Sequence, residues 1–146
     1  MNFGVEIPFV HHLGFELVLF EGGASQIDYT PLPEHLNSFH VTHGGALMTL
    51  QDVVMATAAR SVQQDMGVVT IEMKTSFMRP APGDGSKLTA KGRLIHRTAT
   101  MAFTEGTVFD AEGRICSHAT GTFKYVKRLA VGPKGVNPLN TVISTD

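Results

Sequence analysis

Gly44-Gly45-Ala46-Leu47-Met48-Thr49-Leu50-Gln51-Asp52-Val53-Val54-Met55-Ala56-Thr57-Ala58-Ala59-Arg60-Ser61-Val62 decides the architecture. Ala46, Leu50, Val53, Val54, Thr57 and Ala58 recur at helical spacing without a proline among them, so residues 44–62 read as the one long helix. Upstream, residues 1–13 close on Gly14 as a short helical lead-in. Phe15 to Phe20 and Ser25 to Thr30 are strand candidates, with the hairpin signal Glu21-Gly22-Gly23 between them. Pro31, Pro33 and Asn37 mark an irregular stretch leading into the helix.

Beyond Gly67 the period changes to two. Val69, Ile71, Met73, Thr75 and Phe77 alternate with Thr70, Glu72, Lys74, Ser76 and Met78, which assigns Thr70 to the face opposite Val69, Ile71 and Met73. Pro82-Gly83-Asp84-Gly85 is a turn, followed by strand candidates over Lys87 to His96, Thr98 to Asp110 and Arg114 to Tyr125. Asp110-Ala111-Glu112-Gly113 joins the last two as a hairpin. Two strands, one long helix and four strands give an α+β domain, a mostly antiparallel sheet of about six strands with the helix on one face. Residues 1–128 are read as that single domain. Residues 129–146, with Gly132, Pro133, Gly135 and Pro138, are read as a C-terminal tail.

Composition narrows the class. The 146 residues suit one domain. Twelve Lys and Arg against thirteen Asp and Glu leave a net charge of -1, without the basic excess that nucleic-acid binding needs. Cys116 is the only cysteine, which excludes an internal disulfide. Met1 to Glu6 lacks the pattern of a signal peptide, and no apolar run approaches a membrane span. A cytoplasmic protein with neither nucleic-acid nor membrane partner is expected. His40 and His43 are three apart, but there is no HExxH and the cysteine is distant, so no metal is expected. Cys116, His96 and His118 fall within strand candidates and read as structural.

The chemistry concentrates at the helix. Gly44 and Gly45 open it, leaving bare first-turn amides at the positive end of the helix dipole. Such amides suit an anion or a developing oxyanion; a plain turn into the helix fits the same glycines. Asp52 stands mid-helix, three and four residues from Met48, Met55 and Ala56. That surround raises a carboxyl pKa and suits a base or nucleophile; an exposed helical aspartate beside Gln51 is the competing reading. Gly45 and Asp52 are seven residues apart, roughly 10.5 Å along a helix. One carbonyl cannot touch both on the same helix. If both act in one reaction, the site is shared between two copies of the chain.

Asn37 followed by His43-Gly44-Gly45, with Asp52 nine residues after His43, resembles the PaaI-type branch of hotdog-fold acyl-CoA thioesterases. Thr70-Ile71-Glu72-Met73-Lys74 and Phe77-Met78-Arg79-Pro80-Ala81 are similar to the strand after the hotdog helix in that group. The resemblance covers about residues 9–125. It implies a long helix wrapped by a curved antiparallel sheet, and a homodimer or homotetramer. It also implies hydrolysis of an acyl-CoA to free acid and CoA, with no cofactor apart from the CoA of the substrate. Asp52 would activate water or attack the carbonyl, and the Gly44 or Gly45 amide of the facing subunit would polarise that carbonyl. Asn37 and His43 would shape the same end of the site, and Thr70 would supply a hydroxyl near the acid. Two alternatives stay open: an acyl-thioester hydratase or dehydratase of the same fold, and a non-catalytic acyl-CoA binding or sensing module.

Overall fold

The computed structural model describes residues 1–128, and the expected tail over 129–146 lies outside them. The described residues run through α1 (Pro8–Leu13), β1 (Glu16–Glu21), β2 (Ala24–Tyr29), a 3-10 turn (Pro33–His35) and the long helix α2 (Gly44–Arg60). Then come β3 (Met66–Phe77), β4 (Leu88–Arg97), β5 (Met101–Phe109) and β6 (Ile115–Lys127). The six strands form one sheet in the order β1-β2-β4-β5-β6-β3, with every neighbouring pair antiparallel. This is the expected α+β arrangement of one long helix and a six-stranded sheet. No helix among the described residues is long and apolar enough to cross a membrane.

Leu50, Val54, Met55 and Ala58 are fully buried in the core that α2 shares with the sheet. Glycines make room for the helix. Gly92 on β4 pairs with Gly106 on β5, and Gly121 lies beyond on β6. A Cβ on Gly92 would strike the Val54 carbonyl and the Ser25 hydroxyl. On Gly106 or Gly121 it would press the Met55 side chain at 3.0 Å. The sheet thus offers a groove of missing side chains, and the Val54–Met55 turn lies in it.

The helix stops at Arg60, two residues short of where its apolar spacing points. Ser61 donates its hydroxyl to the Ala58 carbonyl at 2.7 Å and accepts the Gly23 amide at 2.7 Å. Tyr125 donates to the Ala59 carbonyl, also at 2.7 Å. Side chains therefore take up carbonyls that the last turn leaves open, and continuation of the helix loses its advantage.

β3 occupies one edge of the sheet, and its pairing with β6 is interrupted. Thr70 pairs with Phe123 but Glu72 with Thr122, so Ile71 is an extra residue in a β-bulge. Thr70, Met73, Thr75 and Phe77 consequently lie on one face, the helix side, where Phe123, Gly121 and Ala119 are buried opposite the first three. The strict alternation read from the sequence assigned Thr70 to the wrong face. A single inserted residue flips the parity of what precedes it.

Candidate active site

Asp52 projects from the middle of α2 toward β3 and is half-buried. Its Oδ1 accepts a 2.7 Å hydrogen bond from the Thr70 hydroxyl, which the Ile71 bulge has turned to that side. Burial raises the Asp52 pKa above the usual aspartate value, and the Thr70 bond opposes part of that rise by favouring the charged form. A carboxylate so placed holds a proton more readily than one in water, which strengthens it as a base.

The start of α2 is built by its preceding loop. Asn37 Oδ1 accepts the Phe39 and Val41 amides at 2.9 and 3.3 Å, folding residues 37–41 into a tight turn. His40 sits in that turn at φ 59, a left-handed conformation that non-glycine residues seldom adopt. Thr42 ties the loop to the segment after β3 by donating its amide to Ala81 and its hydroxyl to Pro82. The His43 amide donates to the His35 carbonyl at 2.9 Å, and His35 is fixed in turn by Tyr29, whose hydroxyl lies 2.8 Å from Nδ1. The chain thus enters α2 from a braced position.

The first-turn amides are not equivalent. Gly45 donates to His43 Nδ1 at 2.8 Å, and Ala46 and Leu47 donate to the His43 carbonyl at 3.0 and 3.2 Å. Gly44 has no such partner among the described residues, so of the two glycine amides proposed from the sequence it is the free one. With Nδ1 accepting, the neutral His43 ring carries its proton on the exposed Nε2. His43 is therefore the N-cap of α2, and Nε2 is the atom left to face a ligand.

Beside Gly44 opens a cavity of about 560 Å³. Asn37, Phe39, Leu47, Phe77, Met78 and Arg79 line it, an apolar wall with one amide and one cation. The structure brings Asn37 and Gly44 together there, with His43 capping the same helix end. It brings Asp52 and Thr70 together elsewhere, and neither lines this cavity. Eight residues of helix, roughly 12 Å, separate Gly44 from Asp52. The lining by Phe39, Phe77 and Met78 is not visible in strand or helix periodicity, because it is assembled from two loops and a strand end.

Other side chains that invite a chemical role are accounted for otherwise. Cys116 is fully buried, and burial pushes its thiol pKa up, the opposite of what a nucleophile needs. His118 Nε2 lies 3.5 Å from Glu105, which Arg93 also engages at 2.6 Å. His96 stacks on Phe103.

A family profile described as the thioesterase superfamily matches residues 39–117. That span contains α2, β3, β4 and β5, and with them His43, Gly44, Gly45, Asp52 and Thr70. A candidate esterase of Saccharolobus solfataricus is 27% identical over 122 residues, 84% of this chain and 85% of that protein. The E. coli PaaI protein of the phenylacetic acid degradation operon superposes with a TM-score of 0.77 at 22% identity, over 82% of this chain and 85% of that one. A Streptococcus mutans protein bound to acetyl-CoA superposes with a TM-score of 0.72 at 23% identity, over 80% and 92%. These two likenesses establish a common fold. With the profile matching more than half of its length, the chain belongs to the thioesterase superfamily and has the hotdog fold.

Proposed function

We propose that the protein hydrolyses acyl-CoA thioesters to a free acid and CoA at sites shared between two copies of the chain. The observation that carries this reading is Asp52, a half-buried carboxylate with raised pKa, oriented by Thr70 on the helix face. Asp52 takes a proton from water as the water oxygen adds to the thioester carbonyl. The oxyanion that develops is met by the Gly44 amide of the second copy, which the His43 cap leaves free while it occupies Gly45. The tetrahedral intermediate collapses with cleavage of the C–S bond, and the proton held by Asp52 passes to the departing thiolate. Direct attack by Asp52, giving an anhydride that water then opens, uses the same groups.

The apolar cavity beside Gly44 fits an acyl or aryl group, with Phe39, Phe77 and Met78 as its walls. The acetyl-CoA held by the Streptococcus mutans protein supports a CoA thioester as the substrate class. The edge position of β3 supports a second copy. Among the described residues its outer edge is unpaired, with Ile71 53% exposed, and antiparallel pairing with another β3 would remove that edge.

The test is thiol release from acetyl-, straight-chain and aryl-acyl-CoA by wild type and Asp52→Asn. Wild type should release thiol, and Asp52→Asn should lose about 10²–10⁴ in rate while remaining folded. Thioester bound with no thiol released would point instead to a sensing module. A changed C2–C3 bond with the thioester intact would point to a hydratase.

A further inference from the structure

Arg60 closes α2 and is only 7% exposed. Its Nη1 donates to the Phe3 carbonyl at 3.0 Å, and its guanidinium carbon stands 5.7 Å from the centre of the Phe20 ring. Its Nε is buried without a partner among the described residues. Arg128, just past the end of β6 and half-buried, likewise has its Nε buried without a partner among the described residues, close over Gly67 of β3. The two arginines border one cavity of about 430 Å³, together with Asn2, Phe3, Phe20 and Gln64. Asp65 is the carboxylate on its rim. It is exposed, accepts a bond from Gln63 Nε2, and makes no ion pair with either arginine among the described residues.

Guanidinium groups are rarely buried without an anion, and two in one cavity repel each other as well. Burial, and then the Arg128 charge, lower the Arg60 pKa to about 10, which leaves the group charged at neutral pH. The negative end of the α2 dipole offsets part of this cost for Arg60 alone. Both Nε–H groups remain without a partner among the described residues.

We propose that this cavity is an anion site that takes a phosphate or phosphomonoester group, with Arg60 and Arg128 donating to its oxygens. A dianion matches two guanidiniums in charge, and their planar forks suit tetrahedral oxygens. Two sources carry this chemistry. One is the 3′-phosphate of CoA, which rests on the acyl-CoA reading above; the other is free phosphate.

The experiment has a binding arm and a kinetic arm. In the first, the full chain is titrated calorimetrically with inorganic phosphate, using wild type, Arg128→Gln, Arg60→Lys and the surface control Lys91→Gln. Saturable binding is expected in wild type, weakened by about tenfold or more in Arg128→Gln, the equivalent of one charge-assisted hydrogen bond. Arg60→Lys keeps the charge and the packing stem but loses the fork, and should weaken binding by a smaller factor. Lys91→Gln should bind as wild type does. In the second arm, KM is compared for one acyl-CoA and its 3′-dephospho form. A KM rise on losing the 3′-phosphate in wild type, absent in Arg128→Gln, makes the substrate the source; equal KM values make it free phosphate. The site is overturned if wild type shows no saturable phosphate binding, or if Lys91→Gln weakens it as much as Arg128→Gln does. Failure of the thioesterase reading leaves the binding arm intact, so the two failures are distinguishable.

Discussion

The Thr70 hydroxyl donates a 2.7 Å hydrogen bond to Asp52 Oδ1, joining the bulged edge strand to the middle of the long helix. That bond favours the ionised carboxylate and works against burial, which favours the neutral acid. Thr70→Val keeps the shape and removes the donor, so the Asp52 pKa should move further up. Because the base form is the ionised one, the acid limb of kcat/KM against pH should shift to higher pH. At the alkaline plateau the loss should be much smaller than in Asp52→Asn. An unmoved acid limb in Thr70→Val would separate the hydroxyl from the titration of Asp52.

Asp52 also sets a stability prediction of definite sign. Its folded pKa lies above the unfolded value of about 3.9, so the folded chain binds the proton more tightly. Its contribution to stability is present below the unfolded pKa and is lost as pH rises through the folded one. Above the folded pKa the carboxylate is therefore a standing penalty, and there Asp52→Asn should melt higher than wild type while Thr70 still finds an acceptor. The difference in Tm should be small near pH 3.5, grow as pH rises, and level off once pH passes the folded pKa. A few degrees is the scale, at about 4 °C for each kcal/mol in a domain of this size. An inactive variant that is also less stable above the folded pKa would contradict the sign.

Much of this was legible in the residues. The long helix was carried by Ala46, Leu50, Val53, Val54 and Ala58, and the strands by alternation and glycine turns, so the α+β order followed. The pairing of Gly44-Gly45 with Asp52 on one helix was also visible, as was the distance that keeps them apart. Thr70 was misplaced because a bulge leaves no mark in a run of alternating residues: Ile71 looks like any other β-branched strand residue. The distinction between Gly44 and Gly45 was hidden because it depends on which amide His43 Nδ1 accepts. The Arg60–Arg128 cavity was invisible for another reason, since it joins a helix end to a strand end 68 positions later in the chain.

The glycine groove under α2 predicts graded responses to added methyl groups. Gly92→Ala would set its Cβ against the Val54 carbonyl, which is backbone and cannot swing aside. Overpacking of this kind costs about 1–3 kcal/mol, although alanine is otherwise the better residue in a strand. Thermal melts should show a clear drop in Tm. Gly106→Ala meets Met55 Cγ at 3.0 Å and Val54 Cγ1 at 3.2 Å, side-chain atoms with some freedom to move, and should lose less. Equal losses at the two positions would mean that the fit to Val54 backbone is not what the groove provides.

Gly44 allows its amide to be deleted with little damage to the helix. It is the first residue of α2, where proline is well tolerated. His43 before it already has φ -60 and ψ 136, the extended backbone that a following proline requires. Gly44→Pro should therefore fold with a Tm close to wild type. It should lose about 10²–10³ in kcat, the usual cost of removing one oxyanion donor. Full activity in a folded Gly44→Pro chain would remove this amide from the mechanism.

Gly44→Pro and Asp52→Asn together test whether the site is shared. Gly44 and Asp52 lie roughly 12 Å apart on one rigid helix, so a single carbonyl cannot meet both from the same chain. In a symmetric dimer with two shared sites, each site takes Gly44 from one copy and Asp52 from the other. Each variant alone then spoils both sites. A dimer holding one chain of each kind has one site with both defects and one with neither. Chains co-refolded in equal amounts give half such mixed dimers if they assort at random, so about a quarter of the wild-type sites should be restored. Native mass spectrometry of tagged chains would count the mixed dimers, and thiol release would count the active sites. Recovery in proportion to the mixed dimers is the expected result, and mixed dimers without activity would place both residues' function within one chain.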